Sequence, residues 1–165
     1  MWIQDYQSLI SHGQTKVREV ALKITEKVLA EADAGNCLPK IVSRDGNWLF
    51  VKGKKYDLNE FKNIYLLGTG KGAAPILKSL EDILEDRVTR GVMVIKRGEN
   101  CPSFQKVKVI RSDHPEPGEQ SIRGAEEFLK VAEEAGEKDL VLCSITGGRS
   151  SGRGRRRRRT RPRGA

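Results

Sequence analysis

The feature that most limits what this chain can fold into is the stretch at positions 64–74, Ile-Tyr-Leu-Leu-Gly-Thr-Gly-Lys-Gly-Ala-Ala. Ile64 to Leu67 are apolar without interruption, enough for a buried strand, and Gly68 and Gly70 remove side chains that would block a tight turn. Ala73, Ile76, Leu77, Leu80 and Leu84 then recur at steps of three and four, the pattern of a helix with one apolar face over residues 71–86. Strand, glycine turn and helix in that order point backbone N–H groups at an anion. The stretch therefore predicts a local fold whose turn can present backbone N–H groups to an anion.

The segments around it read as partners of the same architecture. Upstream, Val17, Val20, Ala21, Ile24, Val28, Leu29 and Ala32 trace an inward stripe on a helix over residues 15–34, with Gly35 or Asn36 suited to a left-handed cap. Runs at 40–43 and 48–51 flank Arg44-Asp45-Gly46-Asn47, a hairpin signal, and this hairpin is expected to pack at the edge of the Ile64 strand. Downstream, 91–95 and 106–110 are short and rich in Val and Ile, as strands are. A second amphipathic helix spans about 119–135, with Ile122, Ala125, Phe128, Leu129, Ala132 and Ala135 inward and Gly136 ending it. The apolar run at 139–145 opens onto Thr146-Gly147-Gly148. Continuous apolar strands alternating with helices imply an α/β fold, Rossmann-like, with a mainly parallel sheet covered on both faces and an amino-terminal hairpin.

The formal charge of +9 suggests nucleic acid until its position is considered. Nine of the 31 basic residues lie at 149–165, a segment without acids; the rest of the chain carries 22 basic and 22 acidic residues. Only the tail could recruit nucleic acid. Its alphabet of Arg, Gly, Ser, Thr, Pro and Ala gives it nothing to bury, so disorder is expected there. The expected division is an α/β domain at 1–148 and an arginine-rich tail at 149–165. Cys37, Cys101 and Cys143 form no C-x-x-C pair, so neither a disulfide framework nor a zinc site is expected and no metal ligands are assigned. With no long apolar span or export signal, the expectation is a cytoplasmic protein without a membrane partner.

Three clusters are candidates for chemistry. Gly68-Thr69-Gly70-Lys71-Gly72-Ala73 fits G-x-G-x-x-A in the strand-to-helix setting of dinucleotide sites. Where an acid should meet the ribose, however, the chain has Lys96 and Arg97. NAD is disfavoured; NADP, another nucleotide or a phosphorylated substrate stay open, as does a purely structural role for the glycines in helix–sheet packing. Lys71, placed at the start of a helix where a cation opposes the dipole, is explained by a bound anion or by simple solvation. His114, between a strand and a helix in a loop stiffened by Pro115 and Pro117, is a proton donor, a ligand contact or a turn residue, with Asp113 as a possible partner. Ser144-Ile145-Thr146-Gly147-Gly148 repeats the glycine-loop logic after a second strand, and two such loops can converge at one sheet edge.

Taken together, Gly68 to Ala74, Asp113 to Pro117 with Gly124-Ala125, and Asp139 to Leu142 running into Ser144 to Gly148 resemble the amino-terminal domain of the glycerate 2-kinase family, the MOFRL-associated type often labelled hydroxypyruvate reductase. The resemblance implies transfer of the ATP γ-phosphoryl group to the 2-hydroxyl of D-glycerate, with Mg²⁺. On it, Gly70, Lys71 and His114 would bind substrate, Lys71 would stabilise charge catalytically, and Thr146, Gly147 and Gly148 would cradle the nucleotide. Where the family continues with Ser-Ala-Leu and an apolar helix, this chain has Arg149 and the tail. The tail is therefore expected to be an out-of-frame reading, the chain a truncated piece inactive alone, and the 140–145 strand partly uncovered. The alternatives are an NADP-dependent hydroxypyruvate reductase-like protein, leaning on Arg97, and an arginine-tailed nucleic-acid-binding module.

Overall fold

In chain order, the computed structural model has helices α1 (Tyr6–Ile10), α2 (Thr15–Ala32) and α3 (Ala34–Cys37), then strands β1 (Val42–Asp45), β2 (Trp48–Val51) and β3 (Lys54–Asp57). Strand β4 (Asn63–Thr69), helix α4 (Ala73–Leu84), strands β5 (Arg90–Lys96) and β6 (Val107–Ser112), helix α5 (Glu119–Glu134) and strand β7 (Asp139–Ile145) follow. The structure describes residues 2–114 and 116–147; Pro115, Gly148 and the tail at 149–165 lie outside the described residues.

The α/β fold expected from the strand and helix patterns is present. Four parallel strands stand in the order β6-β5-β4-β7, so β4 is interior and its residues from Ile64 to Thr69 are all buried. Helix α4 covers one face, where Ile64, Leu66, Leu77, Leu84, Val88 and Met93 pack together. Helix α5 covers the other, over Tyr65, Leu67, Val92, Val94 and Ile110. Full burial of each such side chain contributes about 1.5–3 kcal/mol relative to exposure, before the entropy of ordering it.

Gly68 decides how closely α4 approaches the sheet. A Cβ there would stand 2.6 Å from Leu77 Cδ2 and 2.7 Å from Met93 Sδ, so any larger residue would push the helix away. On the opposite face Gly124 does the same for α5, since a Cβ there would meet Val94 Cγ2 at 2.8 Å.

This close approach corrects the expected inward face of α5. Ser121, Gly124 and Val131 are buried and Ala125, Phe128 and Ala135 half-buried, while Ile122, Leu129 and Ala132 are exposed. The helix turns Ser121, Gly124, Phe128 and Val131 toward the strands and leaves Ile122 and Leu129 outward. Strand β7 is an edge strand and, as expected for 140–145, it is partly uncovered: Cys143 and Ile145 are exposed and Leu140 to Leu142 half-buried.

Upstream the Asp45-Gly46 hairpin forms, with Gly46 at φ 56°, but it gains a third strand through a Lys52-Gly53 turn in which both residues have positive φ. The three strands make a separate antiparallel sheet instead of extending the edge of β4, because β5 and β7 already occupy both sides of that strand. Val42 and Leu49 pack into the α4 side of the core. Helix α2 ends at Ala32 rather than at a glycine cap. Asp33 turns extended, and its carboxylate accepts a hydrogen bond from the Asn36 N–H at 3.1 Å to start α3. Gly35 then serves close packing, with Pro75 Cβ 3.1 Å from where its own Cβ would lie. The stripe expected to face inward on α2 is exposed, and the helix has no buried residue. Among the described residues no helix is long and apolar enough to cross a membrane.

Candidate functional site

All four parallel strands end on the same side, and the loops that follow them meet there. After β4 the chain turns at Gly70, whose φ of 101° favours glycine, and the Gly70 carbonyl accepts the Ala73 N–H at 3.1 Å. This turn consumes residues 70–72, so α4 begins at Ala73. Lys71 is consequently not in the helix; it is an exposed residue of the turn ahead of it.

The loop after β7 is fastened onto this turn. Thr146 donates its N–H to the Thr69 carbonyl at 3.1 Å, and its Oγ1 accepts the Gly72 N–H at 2.9 Å. The convergence anticipated for the two glycine loops is therefore made by threonine. It also changes the meaning of the glycines. Two N–H groups at the α4 entrance, those of Gly72 and Ala73, are already satisfied within the protein. The space beside Gly70, where a Cβ would fall 2.5 Å from the Thr146 carbonyl oxygen, is filled by the chain itself.

What stays open is a small recess of about 30 Å³ lined by Gly70, Lys71, Lys96, Glu99, His114 and Gly147, with Val94 at its base. Each comes from the carboxyl end of a strand or the loop after it, the side on which open α/β sheets bind ligands. The recess thus collects Gly70, Lys71, His114 and Gly147 from three separate motifs of the sequence. Thr146 stands behind it as the clamp, and Gly148 lies outside the described residues.

Two lysines and one glutamate line the recess, favouring an anionic occupant over a cation. Glu99 escaped the sequence reading. Its signal is the Lys96-Arg97-Gly98-Glu99 turn: Gly98 at φ 81° folds the chain back so that Glu99 accepts the Lys96 N–H at 3.3 Å. Asp113 does not pair with His114 as anticipated. It forms an ion pair with Arg97 at 3.2 Å and lies against Gly118, where a Cβ would meet its Oδ2 at 2.4 Å. His114 is left exposed at the recess. Among the described residues no group of three or more His, Cys, Asp or Glu side chains is placed to hold a metal ion. Cys37, Cys101 and Cys143 are free, and burial pushes the Cys101 and Cys143 thiols above their ordinary range.

The family model described as "Domain of unknown function (DUF4147)" matches residues 20–152. The chain belongs to the DUF4147 family. This DUF4147 chain is 33% identical over 135 residues to a protein named glycerate 2-kinase from Pyrococcus horikoshii, an alignment covering 82% of this chain and 30% of that relative. A crystal structure of a protein from Pyrococcus horikoshii OT3 superposes with a TM-score of 0.70 at 32% identity, covering 82% of this chain and 30% of the other. The crystal structure of a glycerate kinase from Thermotoga maritima gives 0.63 at 22% identity over 83% of this chain and 30% of that one, a likeness of fold. The chain spans about 30% of the length of the relatives it matches. The resemblance to glycerate 2-kinases read from the three motifs agrees with these matches, and each motif contributes to the recess, through Gly70 and Lys71, His114, and Gly147.

Proposed function

We propose that this DUF4147 domain forms one wall of the phosphoryl-transfer cleft of an ATP-dependent D-glycerate 2-kinase, which moves the γ-phosphoryl group of ATP to the 2-hydroxyl of D-glycerate. The observation that carries the reading is the convergence of Lys71, Lys96, His114 and Gly147 on one recess. Its chemical support is the excess of positive charge, suited to a carboxylate or phosphoryl group. The names borne by the relatives supply the substrate.

On this reading Lys71 holds the substrate carboxylate or the charge that develops on the transferring group, acting electrostatically and forming no bond to it. Lys96 adds a second cation across the recess. His114 contacts the substrate from the β6 side, and the loop of Thr146, Gly147 and Gly148 meets the nucleotide phosphates. Mg²⁺, the usual companion of ATP, would supply neutralisation of the phosphate charge. The described residues offer it only Glu99 at this wall, so the DUF4147 domain by itself is not assigned the metal.

The reductase alternative needs the glycine at position 70 to leave room for a pyrophosphate, and the Thr146 carbonyl occupies that room. The nucleic-acid alternative rests on the tail at 149–165, outside the described residues.

The test is calorimetric titration of the purified chain with D-glycerate and with MgATP, alongside an assay of D-glycerate-dependent ADP release. One of the two anions is expected to bind, and Lys71→Ala to weaken it about tenfold, the worth of one charge-assisted hydrogen bond. Turnover by this chain alone is expected to be negligible. Binding unchanged in Lys71→Ala would remove that residue from its role, and substantial ADP release would mean that one wall suffices.

A further inference from the structure

Helix α2 is docked the wrong way round for an ordinary amphipathic helix. Its polar side faces the rest of the chain: Glu26 accepts the Trp2 and Ile3 N–H groups at 2.9 and 2.6 Å, and Arg18 donates to the Leu9 carbonyl at 2.9 Å. Its apolar stripe faces outward, with Val17 62%, Val20 58%, Ile24 60% and Val28 58% exposed. Two shallow grooves lie along the stripe on either side of Ile24, one beside Val17 and Val20 and the other beside Val28. Scattered exposed apolar residues are ordinary, but four in helical register on one face imply something that covers them.

The charges on the helix say what fits. Lys16 and Arg18 occupy the first turn and Glu31 the last, with no acid in the first turn and no base in the last. Each end therefore carries the sign its own dipole disfavours. An antiparallel helix of the same sequence reverses the arrangement, bringing the basic end of one beside the acidic end of the other. We propose that α2 is a self-association surface, pairing antiparallel with α2 of a second copy about a two-fold axis at Ile24.

In that register Ile24 meets Ile24, Val20 meets Val28, and Lys16 lies within one residue of the position opposite Glu31. Glu31 already binds Lys40 of its own chain, and a carboxylate has oxygens enough to accept both. The two grooves flanking Ile24 receive the valines of the second copy. A contact along one helix of about 27 Å is smaller than the interfaces of obligate dimers, so the pairing is concentration dependent.

Sedimentation equilibrium of the full chain at high salt, after nuclease treatment, tests the pairing. The expected result is a weight-average mass rising with concentration from 18.4 kDa toward twice that value, and a monomer at every concentration for Ile24→Glu. A second measurement is independent of that variant's folding. In a chain whose three cysteines are replaced by serine, Ile24→Cys should form an interchain disulfide under mild oxidation. Val17→Cys should not, because the two Val17 positions would lie about 21 Å apart along the helices. A wild-type chain monomeric throughout, a dimer untouched by Ile24→Glu, or cross-linking at position 17 instead of 24 would each overturn the proposal. The first of these would leave the stripe to a different molecule.

Discussion

The Oγ1 of Thr146 accepts the Gly72 N–H at 2.9 Å across 74 positions of sequence, so that the loop after the last strand closes the entrance of α4. Lys71 and Gly147 face the same recess because of this bond. Thr146→Val keeps the shape of the side chain and leaves the Gly72 N–H without its partner. The expected cost is about 1–3 kcal/mol, read as a lower urea midpoint at unchanged slope, together with weaker anion binding. Thr146→Ser, which keeps the hydroxyl, should restore most of both.

Gly68 distinguishes a packing glycine from a ligand-binding one. Its absent side chain faces Leu77 and Met93 in the core, away from the recess. Gly68→Ala is expected to cost about 1–3 kcal/mol through overpacking. Adding Leu77→Ala should recover part of that loss relative to Leu77→Ala alone, since the cavity makes room for the new methyl. A double-mutant cycle by chemical denaturation checks the coupling.

Glu81 is buried, yet it belongs to no catalytic motif. Its carboxylate accepts the N–H groups of Gln105 and Lys106, at 3.0 and 2.8 Å for Oε1, and so fastens the start of β6 to α4. Glu81→Ala should destabilise by about 1.5–3 kcal/mol, the range for hydrogen bonds to a charged group. Amide hydrogen exchange at Gln105 and Lys106 should rise, and exchange at the interior of β4 should follow only the global loss.

Asp139 gives the fold a pH dependence with a definite sign. The Gly136 N–H, donated to Oδ2 at 2.9 Å, holds its carboxyl below the usual aspartate range, and Asn63 adds both backbone and side-chain donors to Oδ1. Because the folded-state value is the lower one, this stabilisation is fully present above the ordinary aspartate value of about 3.9 and is lost as the pH falls through the folded one. Asp139→Asn should lower stability at neutral pH and flatten the acid limb of the stability curve. Thermal unfolding between neutral pH and the acid range measures both effects.

Much of the core architecture was legible in one dimension because its signals are local. A run such as 139–145 is apolar enough to be a strand in any setting, and Asp45-Gly46 turns the chain through the backbone freedom of glycine. The motifs at Lys71, His114 and Thr146 to Gly147 were legible as candidates for the same reason: each sits where a strand gives way to a loop. Periodicity was less informative about faces. It marks which residues of α2 and α5 share a side, but not which side meets the core: the stripe of α2 lies outward throughout and that of α5 in part. Close approach at Gly124 settles that for α5, and the ties to Trp2, Ile3 and Leu9 settle it for α2.

The stretch at 64–74 shows where the two kinds of information divide. By itself the sequence determined that a strand would end in a glycine turn and pass into a helix, because those propensities reside in neighbouring residues. The tertiary structure decided what each glycine is for, because that depends on atoms distant in sequence. Leu77 and Met93 claim the space at Gly68, and the Thr146 carbonyl claims it at Gly70. The turn also leaves Lys71 outside the helix, at a recess it shares with Lys96, His114 and Gly147. No pattern of spacing could assemble that group, since its members are brought together only by the parallel alignment of the strands that carry them.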